Sequence, residues 1–215
     1  LDVLKRLNLS LSPNGVFYAR REGVLPSLME REYAQRRVYK AKKAEISKEY
    51  KESGQYDEET ENKIELYGRL QLVKKIALNS AYGAIGCRRF RFYNVATAEA
   101  ITTWGQVAIK WVANEMNQYL NKNLGTKGED YVIASDTDSM YLNLEPVVDK
   151  LLSTAGEEKK TDHAWIVEKL DRICQKKLSP FIEESYEKLA LYVNAHKSSM
   201  HMKREAIAIA GLWTT

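Results

Sequence analysis

Between Ser27 and Glu52 the chain holds neither proline nor glycine and is made of charged residues and good helix formers, SLMEREYAQRRVYKAKKAEISKEYKE. That composition predicts one long, mostly solvated helix, because nothing in it interrupts helical geometry. Ser53-Gly54-Gln55-Tyr56-Asp57 breaks the pattern, and a helical pattern resumes over residues 58–80. Two long helices joined by so short a break fold back on one another, so an antiparallel helical hairpin is the first constraint on the fold. Gly83 and Gly86 are expected to end its second helix.

The flanking segments change period. Residues 10–25, SLSPNGVFYARREGVL, read as a short β-hairpin with Pro13-Asn14-Gly15 as the turn. Residues 88–93, RRFRFY, alternate basic and aromatic side chains and suit a strand or an extended turn. From about Ala96 to Leu120, the residues Ile101, Trp104, Val107, Ala108, Trp111 and Val112 make one apolar stripe, which marks the best core helix. Residues 130–144, DYVIASDTDSMYLNL, place an apolar strand on each side of an acidic turn. A polar loop is expected over 153–162, helix over 164–193 with an interruption at Pro180, and a strand over 197–210. The fold class is therefore α+β, with helices on one face of an antiparallel sheet.

The 215 residues, 44% hydrophobic and 29% charged, suffice for one or two compact domains. Lys+Arg 33 against Asp+Glu 29 leaves only +4, which permits a nucleic-acid partner without demanding one. Cys87, Cys174 and three scattered histidines form neither a zinc pattern nor a disulfide framework, so a reducing compartment fits best. No window is apolar enough to span a bilayer, and the first residues do not resemble a signal peptide. The missing initiator Met suggests an excised or processed fragment.

Three groups of residues could carry chemistry. The sharpest is Ser135-Asp136-Thr137-Asp138-Ser139, where two carboxylates two residues apart can point the same way on an extended chain. Such a pair suits a hard cation such as magnesium, and two such ions serve phosphoryl transfer. A solvated Asx-rich turn is the competing reading, though apolar strands on both sides hold these aspartates at the edge of a core. In the second group, Lys75, Asn79 and Tyr82 fall on one helix face and could meet phosphates and a base pair, or could be ordinary surface residues. In the third, Arg36 and Lys40, one turn apart, could join Lys75 in a cationic clamp for a triphosphate, or could belong to a charged face.

Taken in order, the blocks SPNG, EGVLP, QRRVYK, KKIALNSAYGAIG, RFYN, AEAITTWGQ, SDTDS, KREAIA and GLWT resemble the family B DNA polymerases of T-even-like bacteriophages over nearly the whole chain. Lys75 to Gly83 matches that family's motif B, Lys-x-x-x-Asn-Ser-x-Tyr-Gly, and Asp136 to Ser139 matches its motif C, Asp-Thr-Asp-Ser. The resemblance implies an antiparallel palm sheet with helices on one face, over residues 1–25 and 87–215, and a helical-hairpin fingers subdomain over 26–86. It implies Asp138 as a catalytic magnesium ligand with Asp136 beside it, and Arg36, Lys40 and Lys75 on the phosphates of an incoming dNTP. Asn79 would support that face, Tyr82 would pack on the nascent base pair, and Glu205 would lie near the metal site. The implied reaction is template-directed nucleotidyl transfer to a primer 3′-hydroxyl, on primer-template DNA, in the cytoplasm of an infected bacterial host.

The chain departs from the pattern in ways that carry their own expectations. No Asp-x-x-Ser-Leu-Tyr-Pro-Ser string, the family's motif A, occurs in it, and the thumb and exonuclease motifs are absent as well. That motif supplies the other metal-binding aspartate, so little or no activity is expected of the chain alone. Ala134-Ser135 stand where Tyr-Gly is usual, and Lys203 stands where T-even enzymes carry an acid. Lys203 would then either compensate the acidic cluster or contact primer phosphate. The leading expectation is a polymerase fragment, including one subunit of a split polymerase completed by a partner chain. The alternatives are a non-catalytic DNA-binding module and an unrelated α+β protein.

Overall fold

The computed structural model describes residues 1–54, 57–155, 159 and 161–211. The expected break at Gln55-Tyr56, the Gly156 part of the 153–162 loop and the terminal Leu212-Trp213-Thr214-Thr215 lie outside the described residues. The chain divides into two compact units, one of Leu1–Arg20 with Ile101–Thr215 and one of Arg21–Ala100.

The Arg21–Ala100 unit is built on two long antiparallel helices, α2 (Val24–Ser53) and α3 (Glu58–Ile85). Helix α3 starts where Asp57 accepts hydrogen bonds from the backbone N–H groups of Glu59 and Thr60, at 3.1 and 3.2 Å, and Glu58, Glu59 and Glu61 face the positive end of its dipole. Gly54 caps α2 in a left-handed conformation, φ 63°, where a side chain would be strained.

Half-buried residues on α2 recur at Leu25, Met29, Glu32, Arg36, Tyr39, Lys43, Ile46 and Tyr50, and on α3 at Thr60, Ile64, Tyr67, Gln71, Lys74, Leu78 and Ala81, followed by buried Ile85. The alternating steps of four and three are a heptad seam. Lys74 donates to Glu32 at 2.6 Å, the rings of Tyr39 and Tyr67 lie 6.3 Å apart, and Lys42 sits 5.6 Å over the Tyr67 ring, which fixes the antiparallel register. On that register Met29 falls opposite Leu78 and Arg36 opposite Gln71. The hairpin is a two-helix coiled coil with polar layers in its middle. Helix α3 runs through Gly83 and ends at Gly86, so only the second of the two expected glycines stops it.

In the other unit, α4 (Val95–Leu124) buries Ala108, Val112, Met116 and Leu120 at successive turns, against Cys174, Leu178, Ile182, Tyr186 and Leu189. Trp104, Val107 and Trp111 of the expected stripe pack on this cluster, whereas Ile101, 45% exposed, does not belong to it. The opposing residues come from α6 (His163–Ile173), a π-helical turn (Cys174–Leu178) and α7 (Ser179–Tyr192). The π turn, closed by the Ser179 N–H on the Cys174 carbonyl, answers Pro180, which can donate no helical hydrogen bond. Two helices that the pattern did not suggest, α1 (Asp2–Leu7) and α5 (Glu145–Ala155), complete the set.

Among the described residues the strands form two separate antiparallel pairs, β1 (Leu9–Leu11) with β2 (Phe17–Ala19) and β3 (Val132–Asp136) with β4 (Ser139–Leu142). The protein is thus mostly helical, with two small sheets in place of the one expected. The first hairpin docks on the end of α7. There Leu11 N–H donates to the Val193 carbonyl at 3.2 Å, and Asn194 donates to the Leu9 carbonyl at 2.8 Å. Residues 197–210 form no strand, and Met202 alone of their large side chains packs on the helical cluster. The 88–93 segment is a series of turns rather than a strand.

Candidate functional site

The acidic motif sits at the tip of the β3–β4 hairpin. Asp136 pairs with Ser139, so Thr137 and Asp138 form a two-residue turn. Thr137 adopts φ 49°, an uncommon left-handed conformation for a β-branched residue. The turn is held locally, since the Thr137 hydroxyl donates to Asp136 Oδ1 at 2.9 Å and the Ser139 hydroxyl to the Asp136 carbonyl at 3.2 Å. The extended-chain argument for the two carboxylates does not describe them, because the backbone reverses between them. Both are exposed at the tip, and all oxygens there are hard donors: two carboxylates and two hydroxyls. That donor set suits a magnesium-like cation better than a soft metal. Among the described residues no group of three or more His, Cys, Asp or Glu side chains is gathered for a metal.

Three features fix this tip on the core. An extra residue between Val132 and Ala134 breaks the ladder register, a bulge that bends β3. Behind it, Tyr131 is 3% exposed, and its N–H donates to Asn117 Oδ1 at 2.9 Å while Asn117 Nδ2 donates to Asp130 at 2.7 Å. One turn further along α4, Asn121 binds the Glu129 backbone at both its N–H and carbonyl, at 3.0 and 2.7 Å, and accepts from Thr126 at 2.9 Å. These two asparagines tie the entry of β3 to α4. They escaped the sequence reading because polar residues four apart on a helix look like a solvated face; the Gly125–Gly128 loop just after them is the signal that a strand returns there. Beyond the tip, burial pushes the Tyr186 phenol above its ordinary range, and the negative charge of Asp138 adds to the shift, which sets Asp138 over the middle of α7.

Glu205 and Lys203 are exposed and make no contact with Asp136 or Asp138 among the described residues. Their neighbour Arg204 is ion-paired to Asp171 of α6.

On the helical hairpin, Lys75, Asn79 and Tyr82 are exposed, each one residue after a seam position of α3. Lys40 is exposed one residue after the seam position Tyr39 of α2. In antiparallel helices the residues that follow seam positions point to the same flank, so these four side chains share one side of the hairpin. Arg36 lies in the seam itself, with its Nε shielded from solvent and without a hydrogen-bond partner among the described residues. On the observed register Arg36 is about 7 Å, and Lys40 about 13 Å, along the hairpin axis from Lys75. None of the three cations makes an ion pair among the described residues. The cationic group is a stepped row along one flank with one member held inside the seam.

These features, a basic helical hairpin and an acidic hairpin tip carried by one chain, are those of a nucleotidyl-transfer protein of the polymerase class, and the chain belongs to DNA polymerase family B, whose family model matches residues 4–164. It is 32% identical over 252 aligned positions to the DNA-directed DNA polymerase of Enterobacteria phage T4, and 32% over 253 to that of Escherichia phage RB69, in each case covering 95% of this chain and 28% of the relative. It is also 31% identical over 134 positions to the DNA polymerase delta catalytic subunit of Candida albicans, covering 61% of this chain and 12% of that protein. The chain therefore spans little more than a quarter of the phage polymerases' length. Both phage alignments are longer than the 215 residues of this chain, so within the matched span the relatives carry residues that it lacks.

Proposed function

We propose that this chain is the palm-and-fingers part of a DNA-directed DNA polymerase, with residues 1–25 and 87–215 as palm and 26–86 as fingers. The observation that carries the reading is the Asp136-Thr137-Asp138-Ser139 turn, an exposed pair of carboxylates on an anchored hairpin, in a chain that belongs to a polymerase family. Asp136 and Asp138 would hold magnesium, which when bound supplies charge to steady the attacking and leaving oxygens of a phosphoryl transfer. The exposed ammonium groups of Lys40 and Lys75 bind the triphosphate of a dNTP, and Arg36 adds a planar donor from the seam once its side chain extends. Tyr82 lays its ring on the nascent base pair, with Asn79 supporting the same flank. The primer 3′-hydroxyl oxygen bonds to the α-phosphorus, the bond to the bridging oxygen breaks, and pyrophosphate leaves. Positioning and electrostatics carry such a step. Glu205 and Lys203 join the acidic tip or the primer only when DNA and the rest of the polymerase are present.

Two carboxylates on one turn are half of a two-metal site. The remaining acid, the exonuclease and the thumb come from another chain or another part of the polymerase, and this chain alone is inactive. A mere DNA binder needs cations and has no use for paired exposed aspartates, which disfavours the binding-module reading. The experiment is primer extension on primed DNA with magnesium and four dNTPs, using the chain alone and then mixed with a partner chain bearing Asp-x-x-Ser-Leu-Tyr-Pro-Ser. Extension in the mixture only is expected. A well-folded mixture that extends nothing would overturn the reading.

A further inference from the structure

The turn that follows α3 has a chemistry that the nucleotide site does not use. From Cys87 to Asn94 the sequence is CRRFRFYN, with three arginines, three aromatic rings and no acid. Backbone hydrogen bonds shape it throughout: Cys87 N–H donates to the Ala84 carbonyl at 2.9 Å, Phe90 to Cys87 at 2.9 Å, Tyr93 to Phe90 at 3.0 Å, and Asn94 to Ile85 at 2.9 Å. Asn94 then caps α4 by accepting from the Thr97 N–H at 3.0 Å. The segment is thereby a fixed platform, tied at both ends to helices.

The side chains it presents are open. Arg88, Arg89 and Arg91 are exposed and make no ion pair among the described residues. Phe92 is 55% and Tyr93 37% exposed, a large apolar area for a surface turn. The Phe92 ring stands edge-on to Phe90, with centroids 5.7 Å apart at 73°, and the Arg91 guanidinium lies 5.9 Å over Phe92. The half-buried Phe90 thus props a ring that shows a face to solvent, amid uncompensated positive charge.

Rings that take bases and arginines that take phosphates, interleaved on one segment, are what an unpaired nucleic-acid strand requires. Every base has a face to stack, and every nucleotide carries one charge. A duplex would offer the phosphates but hide the base faces. We propose that the Cys87–Asn94 turn is a binding site for single-stranded DNA, with Phe92 and Tyr93 stacking unpaired bases and Arg88, Arg89 and Arg91 engaging the backbone. That the strand is DNA rests on the proposed function; the stacking and charge chemistry stand without it.

The test is fluorescence anisotropy of the full chain with labelled oligo(dT), without magnesium or dNTP, over a range of salt and with blunt duplex as competitor. The single strand is expected to bind better than the duplex. Arg88→Gln/Arg89→Gln/Arg91→Gln should lower the slope of log affinity against log salt by about 2, at roughly 0.7 per phosphate contact on a single strand. Phe92→Ala should weaken binding about tenfold with the slope kept. Photocrosslinking of oligonucleotides carrying 5-iododeoxyuridine to the unaltered chain, mapped by mass spectrometry, gives a reading independent of any variant's folding, and Phe92 or Tyr93 should carry the adduct. Absence of single-strand binding, an unchanged slope in the folded triple variant, or adducts only elsewhere would overturn the proposal. Extension that fails in the reconstituted mixture while this binding persists rejects the polymerase reading alone, and the reverse result rejects this site alone.

Discussion

Tyr186 reports on where the catalytic candidate Asp138 lies. Burial, and then the Asp138 charge, raises its phenol above the ordinary value near 10. Below that value the phenol is neutral in both the folded and unfolded chain. As pH rises above it, the unfolded phenol ionises first, so folding stability falls across the window up to the raised folded value. Asp138→Asn should lower the Tyr186 titration midpoint and narrow that window, and Tyr186→Phe should remove its share of the alkaline loss. A ¹³C-tyrosine NMR titration checks this, and a midpoint indifferent to Asp138 would separate the two groups. Asn117 makes the second prediction at this scale. Asn117→Ala should cost about 1–2 kcal/mol and expose the Tyr131 amide to rapid hydrogen exchange, since that N–H would lose its acceptor behind β3. Unchanged protection of Tyr131 would show that α4 does not hold the strand. The aspartates were legible in sequence because their motif is short and local. The asparagines were not, since their partners Tyr131 and Glu129 are reached only through a loop.

The helical hairpin was legible from the lack of glycine and proline across Ser27–Glu52, but its seam was not. Heptads are ordinarily read from apolar residues, and here Glu32, Arg36, Lys43, Gln71 and Lys74 occupy seam positions. The Glu32 and Lys74 side chains, 18% and 23% exposed, form a polar layer that fixes register at some cost in stability. Glu32→Leu alone should destabilise the hairpin by about 1–2 kcal/mol by leaving Lys74 half-buried without its acceptor, whereas Glu32→Leu with Lys74→Leu should recover or exceed the original stability. Urea unfolding of the single and double variants measures this, and additive losses would mean that the pair carries no coupling. The 197–210 segment failed in the opposite way. Alternating side chains announce a period but not a partner strand, and strand formation depends on the partner.

At the scale of the whole molecule, the α+β expectation holds in its coarse form, and the single sheet does not form among the described residues. Strands of three to five residues close as two local hairpins, each pinned to helices, and the bulk of the buried apolar surface lies where α4 meets the α6–α7 rod. Family membership follows from motifs spread along the chain, which is why it was legible before any geometry. The function proposed for the molecule rests on its acidic tip. In the mixture with a motif A-bearing partner chain, single-nucleotide incorporation should fall a hundredfold or more for Asp136→Asn or Asp138→Asn, each variant remaining folded and binding primed DNA as well or better. Undiminished incorporation by both folded variants would contradict the assignment of this turn to catalysis.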